Sequence, residues 1–289
     1  FSDLTSRNFF RFPDRGGGFF SHFPHSRLEC DSNLGCGAFF NIFFPTPESE
    51  KNSRSEYLSK FTKETVLKTE YLSKPENGNF SEIEVKVSSQ SASGNSAKKR
   101  PRFHYSTQVR LVQQIPETPL HDRIDLSNTH NLPGSSFYQD GTLFHGPKFQ
   151  GIEQVLNIGE QGLTLECCLP EISAAEQGQF AARNLNPFAV DLAFQAMLIW
   201  AWRFHQSGSL PLKTDRLEHF RKVPFETQFY LSMSVNKNSA TALSANLFLH
   251  DEQGLMYARI LGAEVTLSKS LNALFGKKSS KPGKSRIRN

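Results

Sequence analysis

Between Pro187 and Phe204 the chain has almost no polar face, with Phe188, Val190, Leu192, Ala193, Phe194 and Ala196 followed by Met197, Leu198, Ile199, Trp200, Trp202 and Phe204. A helix that is apolar all round has no side to offer water, so this segment must be enclosed by the rest of the protein. Asn186 suits the N-cap and Pro187 the first helical position, where no N–H is needed. Gly208 can end the helix in a left-handed conformation. Asp191 and Gln195 interrupt the run, which is too short and too polar for a bilayer. A core helix is expected, and no membrane span.

What encloses it is read from the flanking segments. Residues Gly151–Ile158 and Leu163–Leu169 form two strand candidates joined across Gly159 and Gly162. Phe229–Val235, Thr241–His250 and Leu255–Leu267 follow the helix, the last two joined through Asp251-Glu252-Gln253-Gly254 as a closing meander. A curved antiparallel sheet wrapped round one apolar helix is the hot-dog arrangement of an α+β protein, and two copies would fill 289 residues. Signs of a first copy are partial. Regular structure is read to begin near Ile83, where Ile83, Val85 and Val87 alternate with charged residues. A Ser/Gly-rich loop over Ser88–Lys99 follows, and then Phe103, Tyr105, Thr107, Val109 and Leu111 alternate in turn. Pro116, Pro119, Pro133 and Gly134 punctuate a linker.

Four segments result: 1–50, 51–135 (a partial first hot dog and linker), 136–275 (the second hot dog) and 276–289. Eleven of the 26 phenylalanines fall in the first 44 positions with no lasting period, which assigns that stretch no fold. It reads as out-of-frame translation or as a flexible, sticky linker. Residues 46–64 read as a polar connection. The final segment holds six cations and no acid against a net charge of +5, so the body is nearly neutral. A solvated tail is expected, and no nucleic-acid module, because no aromatic stacking positions accompany it. Four cysteines lack both metal-ligand spacing and the density of a secreted scaffold. A reducing, cytoplasmic setting is expected, with no metal, and the chain reads as a fragment without a secretion signal.

Two clusters carry chemistry. Asp191 and Gln195 are four apart and share a helix face. A carboxyl in apolar surroundings has a raised pKa and can hold the proton a general acid needs. The plainer reading is that Asp191 caps a neighbouring loop and Gln195 satisfies backbone groups. The second cluster is Gly141-Thr142-Leu143-Phe144-His145-Gly146-Pro147-Lys148-Phe149-Gln150, whose Gly146 and Pro147 fix a bend between aromatic residues. His104 reads as half-buried and structural, and His205 and His219 as solvated positions at element ends.

Tyr138–Gln150, read with Asn186-Pro187-Phe188-Ala189-Val190-Asp191-Leu192-Ala193-Phe194-Gln195, resembles the second half of the dehydratase domains of polyketide synthases. Those domains are double hot dogs with YGPxFQ-like and HPxxLDxxxQ-like segments. The wording is most similar to the C-terminal dehydratase-like region of the large subunit of bacterial polyunsaturated fatty acid synthases. The resemblance implies loss of water from a 3-hydroxyacyl chain delivered on the phosphopantetheine of an acyl carrier protein, with no other cofactor. It implies other synthase domains as partners, and a homodimer within a larger synthase. A histidine of the first hot dog would take the C2 proton. Asp191 would protonate or position the departing hydroxyl, with Gln195 as its hydrogen-bonding companion. Phe144, Phe149, Phe188 and Phe194 would wall the acyl path, with Gly146, Pro147 and Pro187 as further substrate-binding positions. A non-catalytic double hot dog that holds acyl chains or organises neighbouring domains is the alternative.

Three departures bear on this. The family's HxxxGxxxxP histidine motif does not occur in the chain. Asn186 stands where a histidine usually precedes the proline, and His145 where a tyrosine usually precedes the glycine and proline. A neutral imidazole at 145 could serve as a base, could hold Asp191, or could simply replace the tyrosine as a hydrogen-bonding neighbour.

Overall fold

The computed structural model describes residues 5–11, 54–60, 65–74, 80–91, 101–112, 115–122, 131–173 and 186–274. Its long apolar helix is α2, Pro187–His205. The start is as the sequence dictates: the Asn186 side chain accepts the Phe188 N–H at 3.1 Å, with Pro187 behind it. The end is not at Gly208. Gln206 takes the left-handed conformation (φ 51°), and its main-chain N–H and its side-chain amide both donate to the Trp202 carbonyl. Gly208 instead opens a strand, its N–H donating to Asn272 Oδ1 in the short helix α3, Leu271–Leu274.

Around α2 lies a curved antiparallel sheet. Strands β7 (Ile152–Gly159) and β8 (Gly162–Cys168) form a hairpin, and β11 (Gln228–Asn238), β12 (Ala242–His250) and β13 (Met256–Ser268) form the meander read from the sequence. β8 pairs with β11 across the helix connection. Alternate residues of these strands, among them Leu165, Leu231, Leu247 and Val265, are wholly buried in one core with Leu192, Met197 and Trp200 of α2. Burying apolar area at about 25 cal/mol per Å² makes this core the main stabilising term.

Several elements go beyond the sequence expectation. β9 (Gly208–Lys213) and β10 (Arg216–His219) both pair with β13. They are short and lack a run of alternation long enough to stand out. β10 buries His219, so that histidine is not a solvated residue. The region read as linker holds β6 (Leu132–Pro133) and the helix α1 (Gly134–Gln139), too short for any helical period to show.

In the N-terminal part, β4 (Phe80–Ser91) and β5 (Arg102–Val112) pair antiparallel as expected and bury Ile83, Val85, Val109 and Leu111 together. The strand runs through Ser88–Ser91, so the loop begins later than the Ser/Gly-rich composition suggests. Regular structure also begins well before Ile83, with β1 (Thr5–Arg11), β2 (Arg54–Lys60) and β3 (Thr65–Lys74). β1 lies in the stretch whose sequence assigns it no fold, and β2 in the expected polar connection. Pairing is made by the main chain, so mixed sequences such as TVLKTEYLSK form ladders without clean alternation. β1 joins β5 to β10, which makes one sheet ordered β2-β3-β4-β5-β1-β10-β13-β12-β11-β8-β7-β6. The rest of the Phe-rich segment and the basic tail 276–289 lie outside the described residues. Among the described residues, no helix is long and apolar enough to cross a membrane.

Candidate active site

α2 presents Asp191 and Gln195 toward α1 and the turn that follows it. Gln195 Nε2 donates to Asp191 Oδ2 at 2.8 Å and to the Phe149 carbonyl at 2.9 Å, while its Oε1 accepts from the Tyr138 hydroxyl at 2.8 Å. These contacts fix the amide, since turning it over would aim its oxygen at a carboxylate and a carbonyl. The Tyr138 oxygen in turn accepts the Ile152 N–H at 3.4 Å. α1, α2 and the first residue of β7 thus meet in one chain of hydrogen bonds.

His145 comes from the turn. Gln150 donates to its carbonyl at 2.9 Å, and the 3-10 turn Pro147–Phe149 follows with the Phe149 N–H on Gly146 O at 2.9 Å. The imidazole stacks on Phe144, centroids 4.4 Å apart, and places Nε2 3.5 Å from Asp191 Oδ2. Only 7% of the His145 side chain and 6% of the Asp191 side chain are exposed. His145 Nδ1 is buried with no hydrogen-bond partner among the described residues.

Burial sets the proton affinities. It pushes the Asp191 carboxyl up to about 6, against the lowering effect of the Gln195 hydrogen bond. It pulls His145 down to about 4, which keeps the imidazole neutral at ordinary pH. Burial also holds the Tyr138 phenol far above its usual range, so Tyr138 acts only as a hydroxyl. A carboxyl that binds a proton near pH 6 beside a neutral imidazole is suited to donating one proton and accepting another.

Asp191, Gln195 and His145 are therefore brought together. Phe149 and Phe188 pack at 4.8 Å between centroids, and Phe188 reaches Phe225 at 6.4 Å. Phe144 lies against His145, while Phe194 is half-buried on the core. Pro187 is half-buried at the helix start, and Gly146 and Pro147 are exposed on the turn. Asn186 needs no histidine's chemistry here, because its Nδ2 donates to the Val223 carbonyl at 3.1 Å while its oxygen caps the helix. Two contributors were not singled out from sequence. Tyr138 lies inside the resemblance-bearing segment without an assigned task, and Phe225 follows a proline in an aperiodic loop that gives no signal. Among the described residues, no three His, Cys, Asp or Glu side chains gather as metal ligands would.

Known proteins share this fold. The dehydratase domain from the CurJ module of the curacin polyketide synthase superposes with a TM-score of 0.54 at 20% identity, over 72% of this chain and 70% of that one. A trans-AT polyketide synthase dehydratase domain from Brevibacillus brevis gives 0.51 at 19% identity, over 70% of each. The architecture is the α+β double hot dog of those domains. A polyunsaturated fatty acid synthase polypeptide from Thraustochytrium sp. (strain ATCC 26185 / S-3) is 36% identical over 126 residues, which are 43% of this chain and 4% of that protein. Residues 118–273, more than half of the chain, match the family model described as the polyketide synthase dehydratase N-terminal domain, and the chain belongs to that family.

Proposed function

We propose that the chain is the dehydratase domain of a polyketide or polyunsaturated fatty acid synthase, removing water from a 3-hydroxyacyl chain carried on an acyl carrier protein. The observation that carries this is the Asp191–Gln195 pair, buried in an otherwise apolar helix, whose carboxyl takes up a proton near pH 6. Asp191 delivers that proton to the C3 hydroxyl as the C3–O bond breaks. Gln195 holds Oδ2 from one side, and Tyr138 and Phe149 O hold Gln195 in turn. The edge of Phe149, Phe188 and Phe225 receives the acyl chain. Elimination by an acid and a base is redox-neutral and calls only for the phosphopantetheine thioester, which acidifies C2.

The partners that accompany this reading are the carrier protein and neighbouring domains of a larger cytoplasmic synthase, in which the domain pairs with a second copy. The test is mass spectrometry of a 3-hydroxyacyl thioester on carrier protein incubated with the chain. Loss of one water with the native chain and none with Asp191→Asn is expected. No turnover by the native chain, with the acyl group merely bound, would overturn the reading in favour of an acyl-holding scaffold.

A further inference from the structure

We propose that Pro119–His121 is a pH-sensitive strap, closed over the outward side of the β11–β12 ladder while His121 and His250 are neutral and released when they take up protons. It lies on the face of the sheet turned away from α2 and Asp191. Main-chain bonds hold both ends: the Met256 N–H donates to Pro119 O at 3.2 Å and the His121 N–H to Gly254 O at 2.7 Å, while Leu120 bridges Leu255. Gly254 takes φ 84°, and a Cβ there would stand 2.5 Å from His121 O, so the turn after β12 receives the strap because it carries glycine. Leu120 itself is 69% exposed, so the rings supply the burial. His121 stacks on Phe248 with centroids 4.9 Å apart and tilts against His250 at 4.6 Å.

His250 is the covered member. Leu247 and Leu249 of β12 face the core, which turns His250 outward, yet it is wholly buried. Its Nδ1 lies 2.8 Å from the Asp251 carbonyl, which can only accept, so the ring's proton is on Nδ1 and Nε2 accepts from the Ser232 hydroxyl at 3.0 Å. The neutral ring is thereby satisfied at both nitrogens, and a second proton adds charge beside His121. Most neighbouring charges are engaged elsewhere. Asp251 Oδ2 takes Arg221 at 2.7 Å and its Oδ1 takes the Gln253 and Leu255 N–H groups, while Arg221 also lies over the Tyr257 ring. Glu252 accepts from the Gln253 amide, and Arg259 of β13 is paired with Glu218, which also takes Arg216. Tyr230, stacked on His250 at 5.9 Å, stands opposite Glu166 of β8, and Asp122 is exposed beside His121. Burial lowers the proton affinity of both imidazoles, against the pull of Asp122 on His121 and of Asp251 on His250, and His121 adds to the lowering at His250. Both rings therefore bind a proton more weakly with the strap closed than with it open. Closure is fully favoured above the ordinary 6.5 and loses support as pH falls below it.

Amide hydrogen exchange of the full chain at pH 7.5 and pH 5.5, with times scaled to the intrinsic exchange rates, tests this. Protection of peptides holding the His121 and Met256 N–H groups is expected to fall at least about tenfold at the lower pH, while peptides from the core of β11 keep theirs. His121→Phe keeps a ring to stack on Phe248 but takes up no proton, so the fall is expected to vanish in that variant. Equal protection at both pH values, a fall that persists in His121→Phe, or a fall shared by β11 would each overturn the strap. Should the variant fail to fold, proton NMR titration of the native rings decides. Midpoints below 6.5 are expected for His121 and His250, and a midpoint at or above 6.5 for either ring overturns the proposal.

Discussion

Gln195 and Asp191 stand one turn apart on α2 and share a 2.8 Å hydrogen bond inside a helix that is otherwise apolar. The bond does two opposed things. It satisfies one carboxyl oxygen, and it favours the ionised form, so it partly offsets the burial that keeps Asp191 protonated.

The dehydration rate should follow that balance. An acid that must be protonated, with a pKa of about 6, makes the rate fall about tenfold for each step of one in pH above 6. The expected profile is level below pH 6 and falls above it, measured as kcat/KM with the thioester.

Stability responds to the same carboxyl with a definite sign. The folded-state value of about 6 lies above the ordinary 3.8, so Asp191 favours folding most below pH 3.8 and loses that contribution as pH rises through 6. The opposite trend from His145 is present in both chains and drops out of the comparison. Relative to the native chain, Asp191→Asn should gain about 2 kcal/mol between pH 4 and pH 7, since each tenfold change in proton affinity is worth about 1.4 kcal/mol. Urea unfolding at several pH values checks this.

Tyr138→Phe removes one hydroxyl and leaves both Gln195 Oε1 and the Ile152 N–H without it. Unsatisfied buried groups of this kind cost about 1–3 kcal/mol. The amide is also freed to turn, so a drop in kcat larger than any change in KM is expected alongside the lower urea midpoint.

Gly134→Ala tests how α1 is seated. A Cβ there would stand 1.9 Å from the Ile152 carbonyl oxygen, so the helix must move off β7. Overpacking of this sort costs about 1–3 kcal/mol. Since α1 carries Tyr138, activity should fall together with the melting temperature.

How much of this could be read from the residues alone differs by element. The start of α2 was legible because the Asn186 cap and Pro187 act locally, and its enclosure because no polar face exists to be solvated. The end was misplaced because Gln206, not the glycine two positions on, adopts the left-handed turn by bonding twice to Trp202 O. β2 and β3 were missed since ladder pairing leaves little mark in a polar strand. The helical spacing gave the Asp191–Gln195 contact directly. The approach of His145 to Asp191, and that of Tyr138 to Gln195 from 57 positions away, depends on tertiary closure that no local pattern encodes.

β8 and β11 are hydrogen-bonded neighbours, yet the chain between Cys168 and Gln228 runs through α2, β9 and β10. That seam cannot close until the helix is already inside. The order of folding is thereby constrained: the meander of β11, β12 and β13 brings together residues near in sequence and forms early, whereas the long loop from β8 to β11 is closed late and slowly. Trp200, whose indole nitrogen donates to Gly159 O on β7, sits where the two parts meet. Its fluorescence is therefore a clock for the step in which α2 is sealed against the β7–β8 hairpin.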